Sequence, residues 1–84
     1  MKKNLTFVKN GNKLVTQEFI GDHHMYRAEI DETNFVGEIY EIGSPHTRIV
    51  YHVSSDNLNN LKKNLKEKFK DYGVKFEKQV RKKL

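Results

Sequence analysis

The 84-residue chain has no cysteine, no tryptophan and only one proline. The lack of cysteine excludes a disulfide framework, a zinc site with thiolate ligands and a thiol nucleophile. The chain also lacks an apolar run near the roughly 18 residues that a membrane-spanning helix requires. Its basic first three residues are followed by the polar stretch 9–13 instead of the apolar segment of a signal peptide. We therefore expect a cytoplasmic protein with no membrane partner.

Apolar residues are sparse, at 36% of the chain, whereas charged residues make up 32% and leave a net charge of +5. Four tyrosines and five phenylalanines still supply a core, which argues against disorder. A chain of this length is expected to form one domain, residues 1–84. Its basic balance favours nucleic acid or an acidic protein surface as a partner, and a need for solubility explains the lysines equally well.

The clearest pattern in the chain predicts a helix over residues 55–72. Its large apolar residues recur every three or four positions and therefore lie on one stripe of the helix. They are Leu58, Leu61, Leu65, Phe69 and Tyr72. The polar residues 54–57 offer N-caps, and Gly73 is a suitable C-terminal stop. Because one amphipathic helix cannot form a core alone, the stripe also predicts a sheet that it packs against.

The rest of the chain predicts strands. Residues 1–22 read as a hairpin around the turn signal Asn10-Gly11-Asn12, and residues 24–53 read as a meander of three strands. Residues 74–80 alternate like a possible last strand, although a helix also fits them, and residues 81–84 form a basic tail. The predicted fold is α+β, an antiparallel sheet of four to five strands with one amphipathic helix packed on one face.

Alternation along the predicted strands assigns residues to the two faces of the sheet. The set assigned to the buried face is Tyr26, Ala28, Ile30, Phe35, Gly37, Ile39, Ile49, Tyr51 and Val53. The opposite face then carries Met25, Val36, Tyr40, Ile42 and Val50, which is an unusual amount of exposed apolar surface. Such a face suggests a covering element from either end of the chain, a homodimer or a ligand surface.

The second face also interleaves basic and aromatic residues. Aromatic side chains stack on bases and cations contact phosphate, so this composition suits a nucleic-acid surface. Pairing of the arginines with Glu29 and Glu38 on neighbouring strands explains them equally well. Lysines on the helix could follow a phosphate backbone, or could simply be its solvated side. The candidate residues for binding a partner or nucleic acid are Arg27, Tyr40, Arg48, His52, Lys62 and Lys66.

No pattern in the sequence predicts catalytic residues, a metal site or a cofactor. His23 and His24 are adjacent, and neighbouring residues of a strand point to opposite sides, so this pair does not converge on a metal. The carboxylates lie beside lysines and arginines, without a glycine-rich phosphate loop or a nucleophile spaced with a base. We therefore expect a protein that is not an enzyme.

Residues 24–76 resemble the HicB-type antitoxin domain. The resemblance rests on the aromatic-x-Gly-Glu-aliphatic pattern of Phe35-Val36-Gly37-Glu38-Ile39, and on Ser55 and Leu58 at the start of the helix. It implies a sheet with one helix, and a protein that acts by occluding a partner such as a toxin. The pattern of sheet and helix is also similar to Pur-type proteins that bind single-stranded nucleic acid.

Three hypotheses about function follow. The first is a small non-enzymatic, HicB-like binding protein that occludes a protein partner, a toxin or a nuclease, through the open sheet face, with a homodimer as a possible state. The second is a nucleic-acid-binding protein that uses the same face and the helix lysines. The third is a phage or mobile-element inhibitor of a host nuclease, suggested by the small, cysteine-free chain rich in lysine and asparagine.

Overall fold

The computed structural model describes residues 5–43 and 45–76, which form an antiparallel sheet and one helix packed against it. The α+β prediction is confirmed, with six strands in place of the expected four to five. The elements are β1 (Val8–Asn10), β2 (Lys13–Val15), β3 (Phe19–Ile20), β4 (Met25–Asp31), β5 (Val36–Ile42), β6 (Thr47–Ser54) and α1 (Leu58–Asp71).

The strand order is β1-β2-β4-β5-β6, and β3 pairs with β4 beyond the end of β2. The additional strand arises because the segment expected to return from the first turn divides at Thr16. The Thr16 amide donates to the Ala28 carbonyl at 3.0 Å, and the Ala28 amide donates to Thr16 Oγ1, also at 3.0 Å. A side-chain hydroxyl thus replaces a backbone acceptor, and the edge of β4 stays hydrogen-bonded between β2 and β3.

The variant Thr16→Val tests how much this hydroxyl contributes to the stability of the fold. Thr16 is buried, so the isosteric change leaves the Ala28 amide without its side-chain acceptor. We expect the free energy of unfolding to fall by about 1–3 kcal/mol, as measured by urea denaturation. Thr47→Val, at an exposed strand position, is the matched control and should change it by less than about 0.5 kcal/mol. Equal effects of the two variants would contradict the assigned role.

β5 and β6 are joined with a bulge. Ile39 pairs with Tyr51, whereas Tyr40 pairs with Ile49, so that Val50 is the extra residue in β6. Val50 packs against the core with Tyr51, and Ile49 is 49% exposed on the other face. The strict alternation predicted through this strand is therefore wrong for Ile49 and Val50, because the extra residue changes the face of every side chain before it.

The core lies between the sheet and α1. The helix begins after Asn57, whose side chain accepts from the Asn60 amide at 2.8 Å, so it starts later than the predicted residue 55. Its stripe packs against the sheet as predicted, with Leu58 and Tyr72 at its ends only partly buried. Gly37 gives the helix room, because a Cβ there would lie 3.0 Å from Leu65 Cδ1. The fully buried helix residues are Leu61, Leu65 and Phe69, and the sheet contributes Phe19, Tyr26, Ala28, Ile30 and Ile39.

The residues after the helix join the same core without forming a strand. Val74 and Phe76 are buried, and the Phe76 ring meets Phe19 edge-on with centroids 5.1 Å apart. The predicted strand therefore does not begin at Val74, and its remainder and the tail 81–84 lie outside the described residues. Phe35, predicted to be buried, is 38% exposed in the turn between β4 and β5, where its φ of 53° places it in the left-handed region.

Candidate interaction surface

The side of the sheet that faces away from α1, called here the open face, is exposed. The predicted covering by the amino-terminal hairpin does not occur among the described residues, because β1 and β2 extend the sheet sideways. The segments 5–7 and 74–76 pack on the helix side, where Leu5, Phe7, Val74 and Phe76 contact the core. Within residues 5–43 and 45–76, nothing lies over the open face.

Strand register places a contiguous group of apolar side chains at one end of the open face. Ile20 pairs with Met25, and Met25 pairs with Ile42. Two residues further along the strands, Tyr40 pairs with Ile49. Since paired residues share a face and lie side by side, these five side chains from four strands form one surface, called here the apolar patch.

The apolar patch is substantially exposed. Ile49, Ile20 and Met25 are 49%, 45% and 38% exposed, whereas Tyr40 and Ile42 are partly buried. Isolated apolar residues are normal on a protein surface, but large ones that adjoin each other usually mark a contact site. The cluster therefore distinguishes this end of the sheet from an ordinary solvated surface.

Tyr40 connects the apolar patch to a polar network on the same face. The Arg27 guanidinium carbon lies 4.8 Å from the Tyr40 ring centroid, and the Tyr40 hydroxyl donates to Glu38 Oε1 at 3.0 Å. Burial, followed by the hydrogen bond to Glu38, raises the pKa of Tyr40 to about 12. The hydroxyl therefore remains a protonated donor at neutral pH, and the side chain is held by Arg27 at its ring and by Glu38 at its hydroxyl.

The charges of the open face are paired within the face. Arg27 Nε donates to Glu29 Oε2 at 3.0 Å, and Lys13 Nζ lies 3.5 Å from the other oxygen of Glu29. His52, which is a cation only when protonated, places its Nε2 at 3.9 Å from Glu38 Oε2. This network crosses the sheet from β2 to β6 beside the apolar patch. Its cations are therefore already matched to carboxylates, which leaves little positive potential for phosphate.

A cleft of about 430 Å³ opens beside the apolar patch, between the turn that precedes β4 and the turn that follows β5. Three patch residues line one side of it, and the turn residues 21–24 with Gly43 line the rest. Such a depression beside an apolar surface suits an anchoring side chain of a partner, because anchors in pockets supply much of the free energy of binding.

Arg48 does not belong to the open face, which corrects the sequence prediction. The bulge at Val50 turns Arg48 to the helix side of the sheet, where its Nε donates to Glu41 Oε1 at 3.0 Å. Glu41 pairs across β4 with Tyr26, a core residue. Arg48 is therefore separated by the sheet from Tyr40, the residue that it was expected to accompany.

Lys62 and Lys66 lie on α1, in the layer behind the sheet. Lys62 Nζ is 5.5 Å from the ring centroid of Phe7, and Lys66 Nζ is 5.8 Å from that of Phe76. Of the six predicted residues, the structure brings together only those on β4, β5 and β6 of the open face: Arg27, Tyr40 and His52. The predicted set therefore cannot act as one surface.

Sequence reasoning missed Ile20 and Ile49 as surface residues. The sequence pattern places Ile20 inside the predicted hairpin 1–22, and only its position next to Gly21 indicates a separate short pairing. Plain alternation with Tyr51 and Val53 predicts Ile49 on the buried face, because no residue around Val50 indicates a bulge in the sequence. Both residues prove to be among the most exposed large hydrophobic side chains of the described chain.

Neither a metal site nor a membrane span is found in the part of the chain that the structure describes. No group of three or more histidine, aspartate or glutamate side chains there is placed to hold a metal ion. The helix described is neither long enough nor apolar enough to cross a membrane. In comparisons with known proteins, no family model, no curated protein and no solved structure matches the chain.

Proposed function

We propose that this chain is a small non-enzymatic binding protein that occludes a protein partner through its open face. The observation that carries the proposal is the apolar patch, in which Ile20, Met25, Tyr40, Ile42 and Ile49 adjoin each other at the surface. Burying such side chains in an interface is favourable by roughly 25 cal/mol for each Å² of apolar surface removed from water. The neighbouring cleft adds a place for an anchor from the partner.

Charge favours a protein over nucleic acid at this face. The open face carries Lys13 and Arg27 against Glu29, Asp31 and Glu38, so a phosphate backbone would meet more carboxylates than cations. The nucleic-acid alternative therefore depends on the lysines of α1, on the opposite side of the molecule. A HicB-like role, with a toxin or a nuclease as the occluded partner, remains a prediction of the resemblance.

A photo-cross-linking side chain at position 49 tests the proposal. We expect ultraviolet irradiation of cells that carry the variant chain to yield one adduct of defined mass, because Ile49 is the most exposed side chain of the apolar patch. The matched control places the same group at position 35, an exposed hydrophobic site outside the apolar patch. Adding Met25→Asp should lower the adduct yield at position 49 by about tenfold or more, because an unpaired charge would be buried.

The outcome that would contradict the proposal is equally clear. If position 49 gave no adduct, or if positions 49 and 35 gave the same adducts in similar yield, the apolar patch would not be the contact surface. An adduct that persists undiminished in the Met25→Asp background would point to the same conclusion.

A further inference from the structure

We propose that the outer side of α1 binds the phosphate backbone of double-stranded nucleic acid without reading its sequence. This surface lies on the side of the sheet opposite the open face, so the inference goes beyond the proposed function and does not depend on it. It is supported by the alignment of the helix lysines, by the separation of charge between sheet and helix, and by two basic segments of sequence that join the structure beside the helix.

Four lysines form one surface along α1, called here the lysine ridge. Lys62, Lys66 and Lys70 follow each other at intervals of four residues, so each lies about 6 Å further along the helix axis, and Lys63 lies beside them. Lys63 and Lys70 are exposed. Glu67 is the acidic residue next to the lysine ridge, which therefore keeps an excess of positive charge. An array of cations of this kind attracts a polyanion.

Two aromatic rings hold part of the lysine ridge in place. Lys62 Nζ lies 5.5 Å from the ring centroid of Phe7, and Lys66 Nζ lies 5.8 Å from that of Phe76. Both lysines are partly buried, as expected when the aliphatic stem packs on the protein and the ammonium group remains at the surface. Cations positioned in this way lose less conformational entropy on meeting a phosphate than freely rotating lysines do.

Charge is separated between the two layers of the described structure, although its total is balanced at ten cations and ten carboxylates. Residues 5–56, which include the sheet, hold four lysine and arginine residues against eight aspartate and glutamate residues. Residues 57–76, which include α1, hold six lysines against two acids. A polyanion is therefore repelled by the sheet layer and attracted by the helix layer, which favours α1 as the side that it contacts.

The sequence adds basic segments next to both of these rings. Residues 1–4 precede the segment that contains Phe7 and carry two lysines, whereas residues 77–84 follow Phe76 directly and carry four cations against one acid. These two segments account for the net charge of +5. Because they are covalently joined to the chain beside the lysine ridge, their cations add to its attraction for a phosphate backbone.

The lysine ridge offers charge without a platform for stacking bases. Proteins that bind single strands usually combine cations with exposed aromatic side chains. The Phe69 ring of α1 is buried, and the Tyr72 ring that follows it stacks on Tyr26 with centroids 4.7 Å apart. Lysines alone contact phosphate, and a duplex carries one negative charge for about every 1.7 Å of its axis. We therefore expect a duplex to bind more tightly than a single strand of equal length, whatever its sequence.

Fluorescence anisotropy of a labelled DNA duplex, titrated with the full chain at several salt concentrations, tests the inference. We expect the logarithm of the wild-type association constant to fall against the logarithm of salt concentration with a slope of at least about 3 in magnitude, because each phosphate contact contributes about 0.9. The double variant Lys63→Gln/Lys70→Gln should lower the association constant by about tenfold or more at about 50 mM salt and reduce that slope by nearly 2. Glutamine suits a helix as well as lysine does, so the fold should be retained.

Lys9→Gln/Lys68→Gln is the control matched in charge. Lys9 Nζ lies 3.1 Å from Glu32 Oε2 at the edge of the sheet, and Lys68 Nζ lies 4.0 Å from Asp71 Oδ2 on the other flank of α1. Since both cations lie outside the lysine ridge and are paired with carboxylates, this variant should weaken binding by less than about threefold. Met25→Asp, in the apolar patch, should bind the duplex like the wild type, so the result is independent of cross-linking at position 49.

Three results would overturn the inference. The first is a wild-type chain that leaves the anisotropy unchanged up to about 100 µM protein at about 50 mM salt, since even non-specific binding is tighter than that. The second is an equal loss of affinity in the two double variants, because the contact would then depend on total charge and not on the lysine ridge. The third is tighter binding to a single strand of the same length than to the duplex.

Discussion

Phe69→Ala is expected to lower the free energy of unfolding by about 3–5 kcal/mol, the range typical of removing a buried phenylalanine ring. Phe69 is fully buried on α1, and its ring meets those of Phe19 and Phe76 edge-on at 5.3 Å and 6.1 Å between centroids. A domain of this length has a total stability of about 4–13 kcal/mol, so the loss is at least about a quarter of it and the variant should unfold at a clearly lower urea concentration. Urea denaturation followed by circular dichroism measures the change.

Two further substitutions on α1 distinguish the contribution of the Phe69 ring to stability from that of the helix. Phe69→Leu keeps an apolar side chain and should cost clearly less than the alanine variant, because it leaves a smaller cavity. Lys70→Ala changes the next, exposed residue and should alter the free energy of unfolding by less than about 0.5 kcal/mol. A loss at Phe69→Ala no larger than that at Lys70→Ala would mean that the helix is not anchored by this ring.

Gly73→Ala is expected to lower the free energy of unfolding by about 1–2 kcal/mol. Gly73 follows the helix with a φ of +89°, where a residue other than glycine costs about 1–2 kcal/mol. A Cβ at this position would also meet the Asp22 carboxylate, but that group is the end of an exposed side chain and can rotate away at little cost. The Asp22 amide donates to the Tyr72 carbonyl at 3.0 Å, so the backbone of the turn before β4 stays in place while the carboxylate moves.

Gly11→Ala is the matched control for the backbone contribution. Gly11 also has a positive φ, +66°, but a Cβ there would have no atom within 4 Å. It should therefore show a similar conformational cost. In the double variant Asp22→Ala/Gly73→Ala that cost should remain, and a double-mutant cycle measures any coupling to Asp22. A Gly73→Ala variant as stable as the wild type would contradict the left-handed conformation at the helix end.

The parts of the fold that follow from local periodicity could be read from the sequence. The spacing of Leu61, Leu65 and Phe69 is that of a helical stripe, and all three are buried. Alternation in β4 correctly placed Tyr26 and Ala28 in the core, because a short turn fixes the register of this strand with β5. In both elements the apolar residues recur at the period of the helix or strand without interruption.

The sequence predictions are wrong where a single residue interrupts the regular alternation or pairing of a strand. The Thr16 hydroxyl accepts the hydrogen bond of the Ala28 amide and so separates β2 from β3, and Val50 is an extra residue in β6 without a partner in β5. Phe35 adopts a left-handed conformation that phenylalanine rarely takes, and so leaves the core. Each of these depends on contacts between segments distant in sequence, which no local pattern encodes.

The candidate surface was partly predictable for the same reason. Arg27 and Tyr40 lie on strands whose register follows from a short turn. In the structure the Arg27 guanidinium carbon lies 4.8 Å from the Tyr40 ring centroid. Arg48 and Ile49 come before the bulge in β6, so their predicted faces were exchanged. The exchange puts the aliphatic Ile49 where the cation of Arg48 was expected, which favours the protein partner of the first hypothesis over the nucleic-acid alternative.

The bulge at Val50 also has an evolutionary consequence. Loss of that single codon would restore plain alternation in β6 and leave Ile49 opposite Tyr40 and Arg48 opposite Glu41, because Val50 is the residue without a partner. A lineage without this residue would therefore keep the composition of the open face and lose only the side chain that Val50 packs against the core.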